Sequence, residues 1–142
     1  MSVIARNRQS RPIPSSAWLD HVIAIGFAGG GGEPGGVGIA FVGDAEMIVH
    51  HTEFLQKPCT TDVLSFPGDV SDDPDYRGDI IVCTDQAARQ SRALGIPYDV
   101  ELSILVLHGV LHLQSYDHTA DDGKMTRLEE ALRPQALRGV RT

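Results

Sequence analysis

The chain has 142 residues and a mass of 15.3 kDa, 42% hydrophobic and 22% charged, values of one globular domain that holds a core without disulfides. No apolar run approaches the ~18 residues of a membrane-spanning helix, so no membrane partner is expected. The net charge of −7 is uneven: residues 12–123 carry 4 basic and 17 acidic side chains, while the two ends together carry 8 basic and 2 acidic. Binding of duplex DNA by broad electrostatics is therefore not expected, since such a protein is basic over its working face. A local basic patch built from both termini stays open.

Ser2 to Arg6 reads as a strand. Arg6, Arg8 and Arg11 ahead of the apolar Val22–Ala28 superficially match a secretory signal, but Asp20, His21, Pro12 and Pro14 break that pattern. Ser15 or Ser16 instead caps a helix from Ala17, with Trp18, Val22 and Ile25 on one face. Residues 29–38 include seven glycines. No GK[ST] follows them, so they read as a flexible connection and not as a phosphate loop. Val37 to Val42 is a second strand, and Asp44 caps a helix from Ala45 to about Leu55. Val63 to Phe66 is a short strand stopped by Pro67 and Gly68, and residues 69–77 form an acidic turn.

Ile80 to Cys83 is the next strand, followed by a helix capped by Thr84 or Asp85 and stopped near Leu94 by Gly95 and Pro97. Asp99 to Leu113 is the clearest helix. Thr119 and Asp122 form a capping-box-like T-x-x-D before a last helix to Leu132, which Pro134 ends. The fold class is α+β: a small mixed sheet of about four strands packed against about five helices, in one domain over 1–142 with a basic tail at 133–142. Cys59 and Cys83 make neither a zinc knuckle nor a CxxC motif, the usage of a reducing, cytoplasmic compartment.

Three of six histidines fall in HGVLHLQSYDH, residues 108–118. His108 and His112 are four apart, so on a helix their rings share a face. With His118 they supply three imidazoles for one Zn²⁺ and leave a fourth position for water, the pattern of a catalytic zinc. Asp117 either orients one imidazole or hydrogen-bonds the turn. His21, His50 and His51 read as exposed polar side chains in unrelated helices. The histidine spacing also fits the metzincin pattern H-E-x-x-H-x-x-G-x-x-H, but Gly109 stands where those proteases place their general base, which argues against peptide hydrolysis.

HGVLHLQSYDH resembles the H-G-x-L-H-L-x-G-Y-D-H signature of the YbeY-type endoribonucleases, which are rRNA maturation factors. TTDVLSFPGD, Thr60 to Asp69, resembles their (T)-[DN]-V-L-S-F-P segment, and Gly78-Asp79-Ile80 their G-D-I strand. The likeness runs from Ser2 to about Leu132. It implies a metal-dependent hydrolase of single-stranded RNA acting in 16S rRNA 3′-end processing and ribosome quality control. It further implies His108, His112 and His118 as ligands of one zinc ion, and the ribosome or its small subunit as partner. Two positions depart from the family. Ser115 replaces a glycine, and Leu55 stands where the family's L-N-x-x-[YF]-R carries an arginine that would hold or stabilise a scissile phosphate. Lys57 is a candidate substitute as a point charge.

For the chemistry, zinc-bound water is the expected attacking group. No carboxylate occupies an obvious base position. Asp79 is a candidate cleft residue, Ser65 a weaker one, and Tyr116 either stacks a base or packs the core. Two alternatives accompany the nuclease reading: a catalytically weakened, zinc-containing ribosome-binding factor, and another zinc hydrolase.

Overall fold

The computed structural model describes residues 3–55, 61–68, 74–114 and 123–138, without the side chains of Phe54 and Leu55. Its elements are β1 (Val3–Asn7), α1 (Ser16–Gly30), β2 (Gly36–Val42), α2 (Asp44–Leu55), β3 (Val63–Pro67), β4 (Tyr76–Cys83), α3 (Thr84–Leu94), α4 (Tyr98–Leu113) and α5 (Lys124–Ala136). Four strands in the order β1-β2-β4-β3 form one mixed sheet. β1, β2 and β4 run parallel, and β3 closes one edge antiparallel to β4. Parallel neighbours need a crossover, and α1 supplies the one between β1 and β2. The α+β expectation with about four strands and five helices therefore holds.

Alternation along the strands divides the core. Ile39, Phe41, Ile80 and Val82 join Val22, Ile23, Phe27, Leu107 and Val110 from α1 and α4. On the other face, Val42, Leu64, Ile81 and Cys83 pack with Met47 of α2. Ten residues of α4 are buried, including Leu102, Val106, Gly109 and Leu113, because it is flanked by α1, α3, α5 and the β3–β4 edge. Each fully buried Leu, Val or Phe stabilises by roughly 1.5–3 kcal/mol, so this central helix is the fold's rigid post.

Several local expectations change. β4 begins at Tyr76 and not at Ile80, since it pairs on both sides, Tyr76 with Gly36 and Gly78 with Pro67. The buried stripe of α1 is Leu19, Val22, Ile23, Gly26 and Phe27. Trp18 lies at its margin and donates its Nε1–H to Ser103 Oγ at 2.8 Å. Ser15 does cap α1, accepting from the Trp18 N–H at 3.2 Å. Asp44 is the first residue of α2 and not its cap. Its N–H donates to Asp85 Oδ2 at 2.9 Å, and its carboxylate takes Arg89 through two 2.8 Å bonds.

The cap of α3 is Cys83, whose thiol makes no capping bond to the helix and donates to Asp44 Oδ1 at 3.4 Å, while the Thr84 hydroxyl is drawn to Gln9 and Val42. α5 starts at Lys124 and runs through Pro134 to Ala136. The missing Pro134 N–H would have bonded the carbonyl of Glu130, an exposed residue near the helix end, where losing one intrahelical bond costs little because solvent can reach the carbonyl. The glycine tract is shorter as a connection than residues 29–38, since α1 keeps Gly29 and Gly30 and β2 takes residues from Gly36 onward. The T-x-x-D capping box, most of the acidic turn and Cys59 lie outside the described residues.

Candidate metal centre

The last turns of α4 carry His108 and His112, both half-buried. Their Nε2 atoms lie 3.0 Å apart and their rings meet at 4.6 Å between centroids. Two nitrogens at ~2.0–2.1 Å from a tetrahedral zinc stand about 3.3 Å from each other. The pair thus needs only a few tenths of an ångström of adjustment to share an ion. The helical spacing brings these two together as the sequence implied.

α5 supplies the group that aims them. Glu129, 5% exposed, places Oε1 2.8 Å from His108 Nδ1 and takes Arg133 on Oε2 at 2.8 Å. A carboxylate only accepts, so His108 carries its proton on Nδ1 and presents the Nε2 lone pair toward His112. Burial pushes the Glu129 carboxyl up, but the bonds from His108 and Arg133 outweigh it and hold the group below the ordinary glutamate range. This is the carboxylate–histidine arrangement that fixes metal-binding imidazoles.

Glu129 is absent from the sequence reading, yet a signal exists. The buried residues of α5 are Met125, Glu129 and Ala136, so a glutamate occupies a core position of an amphipathic helix. Such a carboxylate needs a partner.

Gly109, between the two histidines' turns, has a packing reason beyond lacking a protease base. A Cβ there would stand 2.8 Å from Ile80 Cγ2 and 3.2 Å from Ser65 Oγ. The helix therefore lies directly on β3 and β4, and Ser65 donates its hydroxyl to the Gly109 carbonyl at 3.2 Å. Ser65 is thus turned toward the histidine helix.

Asp79 is not brought there. It pairs with Phe66 across β3–β4, on the face opposite Ile80, and hydrogen-bonds Tyr76, whose hydroxyl is pushed far up by burial and by that carboxylate. It lines a separate cleft of about 940 Å³ with Arg6, Arg8, Glu46, His50 and Tyr76. Of the basic residues at the two ends, Arg6 and Arg8 face that cleft, whereas Arg133 joins the His108–Glu129 pair.

Of the remaining histidines, His21 meets the Gln135 carbonyl at 3.0 Å and His50 meets Glu46 at 3.1 Å. His51 is buried at 7% exposure, against the expectation of an exposed side chain. Among the described residues, no group of three His, Cys, Asp or Glu is arranged to hold a metal. His118, Ser115, Tyr116, Asp117 and Lys57 lie outside them, as does the Leu55 side chain. The donor set described fits zinc: two imidazoles on one helix face, one of them held by a carboxylate.

A model of the family described as Endoribonuclease YbeY matches residues 14–136. The Endoribonuclease YbeY of Solibacter usitatus is 44% identical over 91 residues, 64% of this chain and 59% of that protein. That of Koribacter versatilis is 41% identical over 102 residues, 72% of this chain and 65% of that protein. The chain thus spans about three fifths of the length of these relatives. That of Campylobacter jejuni is 36% identical over 99 residues, covering 70% of this chain and 74% of the relative. The solution structure of TM1509 from Thermotoga maritima shares the fold at a TM-score of 0.63 and 23% identity, over 95% of this chain and 89% of that one.

Proposed function

The chain belongs to the YbeY endoribonuclease family, and on that premise we propose that it is a zinc-dependent endoribonuclease that cuts single-stranded RNA. Its substrate is rRNA at the 16S 3′ end, its partner the ribosome or small subunit, and its compartment the cytoplasm. The observation that carries the reading is the convergence of His108 and His112 Nε2 at 3.0 Å, with Glu129 behind His108.

His108 and His112 would hold one Zn²⁺, with His118 as third ligand, and the ion would supply Lewis-acid polarisation of a phosphoryl oxygen and a water acidified toward a pKa of ~7. The protein's own part is to hold two lone pairs on one side of a rigid helix. Glu129 keeps the His108 proton on Nδ1, away from the ion, and Arg133 keeps Glu129 ionised. The wall formed by Gly109, Ile80 and Ser65 limits the approach of water from the sheet side.

A labelled single-stranded RNA, incubated with the protein with and without chelator, tests this alongside His112→Ala. The expected result is chelator-sensitive cutting that disappears in the variant together with bound zinc. Retained zinc stoichiometry in His112→Ala overturns the ligand assignment.

One observation favours a second reading, a zinc-containing ribosome-binding factor with weakened catalysis: leucine at position 55 replaces an arginine able to grip a phosphate. Absence of cutting by zinc-loaded protein, with cutting gained in Leu55→Arg, selects that reading.

A further inference from the structure

The glycine tract has a use that a flexible connection would not have. Gln114 ends α4 as its C-cap, two residues after His112. Its Nε2 donates to the Gly26 carbonyl of α1 at 3.0 Å and to the Val110 carbonyl at 3.2 Å. Its Oε1 accepts the Gly32 N–H at 2.8 Å. One side chain thus ties the last turn of α4 to α1 and to the loop after it.

The glycines make room for this tie. A Cβ on Gly30 would meet the Gln114 Cδ at 2.7 Å, and one on Gly32 would meet its Cγ at 2.8 Å. Neither glycine has a positive φ, so what a side chain at either position would displace is the Gln114 amide lying against it. Two further glycines act alike: a Cβ on Gly26 would stand 2.6 Å from Val110 Cγ1, and one on Gly29 would stand 2.6 Å from Leu132 Cδ1. The glycine-bearing end of α1 is thus a seat for the two helices that carry His108, His112 and Glu129.

We infer that Gln114 is a positioning residue for the metal centre, bracing against Gly26, Gly30 and Gly32 the turn that carries His112 and from which the chain continues to His118. The inference rests on the zinc reading above. Without the brace, the last turn of α4 loses its cross-links to α1 and the loop. The histidine pair then has to be ordered by the ion itself, at a cost in affinity.

The test measures zinc affinity by competition with a chromophoric chelator for the wild type, Gln114→Ala, Gly32→Ala and the double variant, with thermal unfolding of each metal-free protein. Both single variants are expected to bind zinc about 10- to 100-fold more weakly, the range for residues that orient ligands. Gly32→Ala acts by displacing the Gln114 amide, so the double variant is expected to be no weaker than Gln114→Ala alone. Gly32→Ala retains the glutamine and carries the test if Gln114→Ala fails to fold.

Zinc affinity within about twofold of wild type in the folded single variants overturns the inference, even if their unfolding temperatures fall. So does a double variant in which the two losses add. His112→Ala separates the two levels: if the wild type binds no more tightly than His112→Ala, the zinc reading itself fails, and this inference with it.

Discussion

Glu129 Oε1 lies 2.8 Å from His108 Nδ1, so a buried carboxylate on α5 decides which ring nitrogen of an α4 histidine faces His112. The bond joins residues 21 apart in sequence. It fixes the orientation of one donor of the helical His pair.

Removing that carboxylate should weaken the site without changing its ligands. Glu129→Ala leaves the His108 Nδ1–H without this acceptor and frees the ring to rotate. Zinc affinity should fall about 10- to 100-fold, as for other residues that orient metal-binding histidines. Stability should fall by about 1–3 kcal/mol, since a half-buried donor loses its partner. Chelator competition and urea unfolding measure the two effects. An unchanged zinc affinity would show that Glu129 serves packing alone.

Gly109→Ala tests the contact between the helix and the sheet. Alanine in an exposed helix interior is favoured over glycine by about 0.8–1.0 kcal/mol. Here its Cβ would press on Ile80 Cγ2 at 2.8 Å, and overpacking of this kind costs typically about 1–3 kcal/mol. The net expectation is destabilisation in urea, with cleavage reduced because α4 lifts off β3 and β4. A variant more stable than wild type would mean that the strand yields to the helix.

The element order and the two converging histidines were legible in the sequence because both rest on local periodicity. The i, i+4 spacing sets a shared face wherever the helix lies. The cap of α1 at Ser15 was legible too, but those of α2 and α3 were not, since Asp44 and Thr84 are spent on Arg89 and Gln9, partners distant in sequence. Glu129 was obscured for the same reason: its role depends on how α5 docks on α4. Asp79 reads as a polar cleft residue and indeed lines a cleft, but strand alternation alone cannot say which of the sheet's faces receives the helix of histidines.

The Asp44–Arg89 clasp links α2 to α3 through two 2.8 Å bonds, but its side chains are 36% and 44% exposed. Exposed pairs contribute about 0.2–1 kcal/mol. Arg89→Ala should therefore lower stability by less than about 1 kcal/mol, with the loss shrinking in high salt. Unfolding at low and high ionic strength measures both. A loss of several kcal/mol would mean that the clasp organises the start of α2 and does more than tie two surfaces.

Glu101 gives a pH dependence of definite sign. It is 4% exposed, and its Oε2 has no hydrogen-bond partner among the described residues. Burial pushes its carboxyl above the ordinary value, the charges of Asp62 and Glu129 push the same way, and Arg133 opposes them. The folded chain therefore keeps this proton to higher pH than the unfolded chain does. Between the ordinary glutamate value and the raised one, stability due to this group falls as pH rises. Below that window the group is protonated in both states and contributes no slope. Glu101→Gln keeps the size and removes the charge, so it should match wild type in acid and become the more stable protein toward neutral pH. Urea unfolding of both proteins from acid to neutral pH measures the difference. A gap that stays constant with pH would mean that Glu101 titrates alike in the folded and unfolded chains.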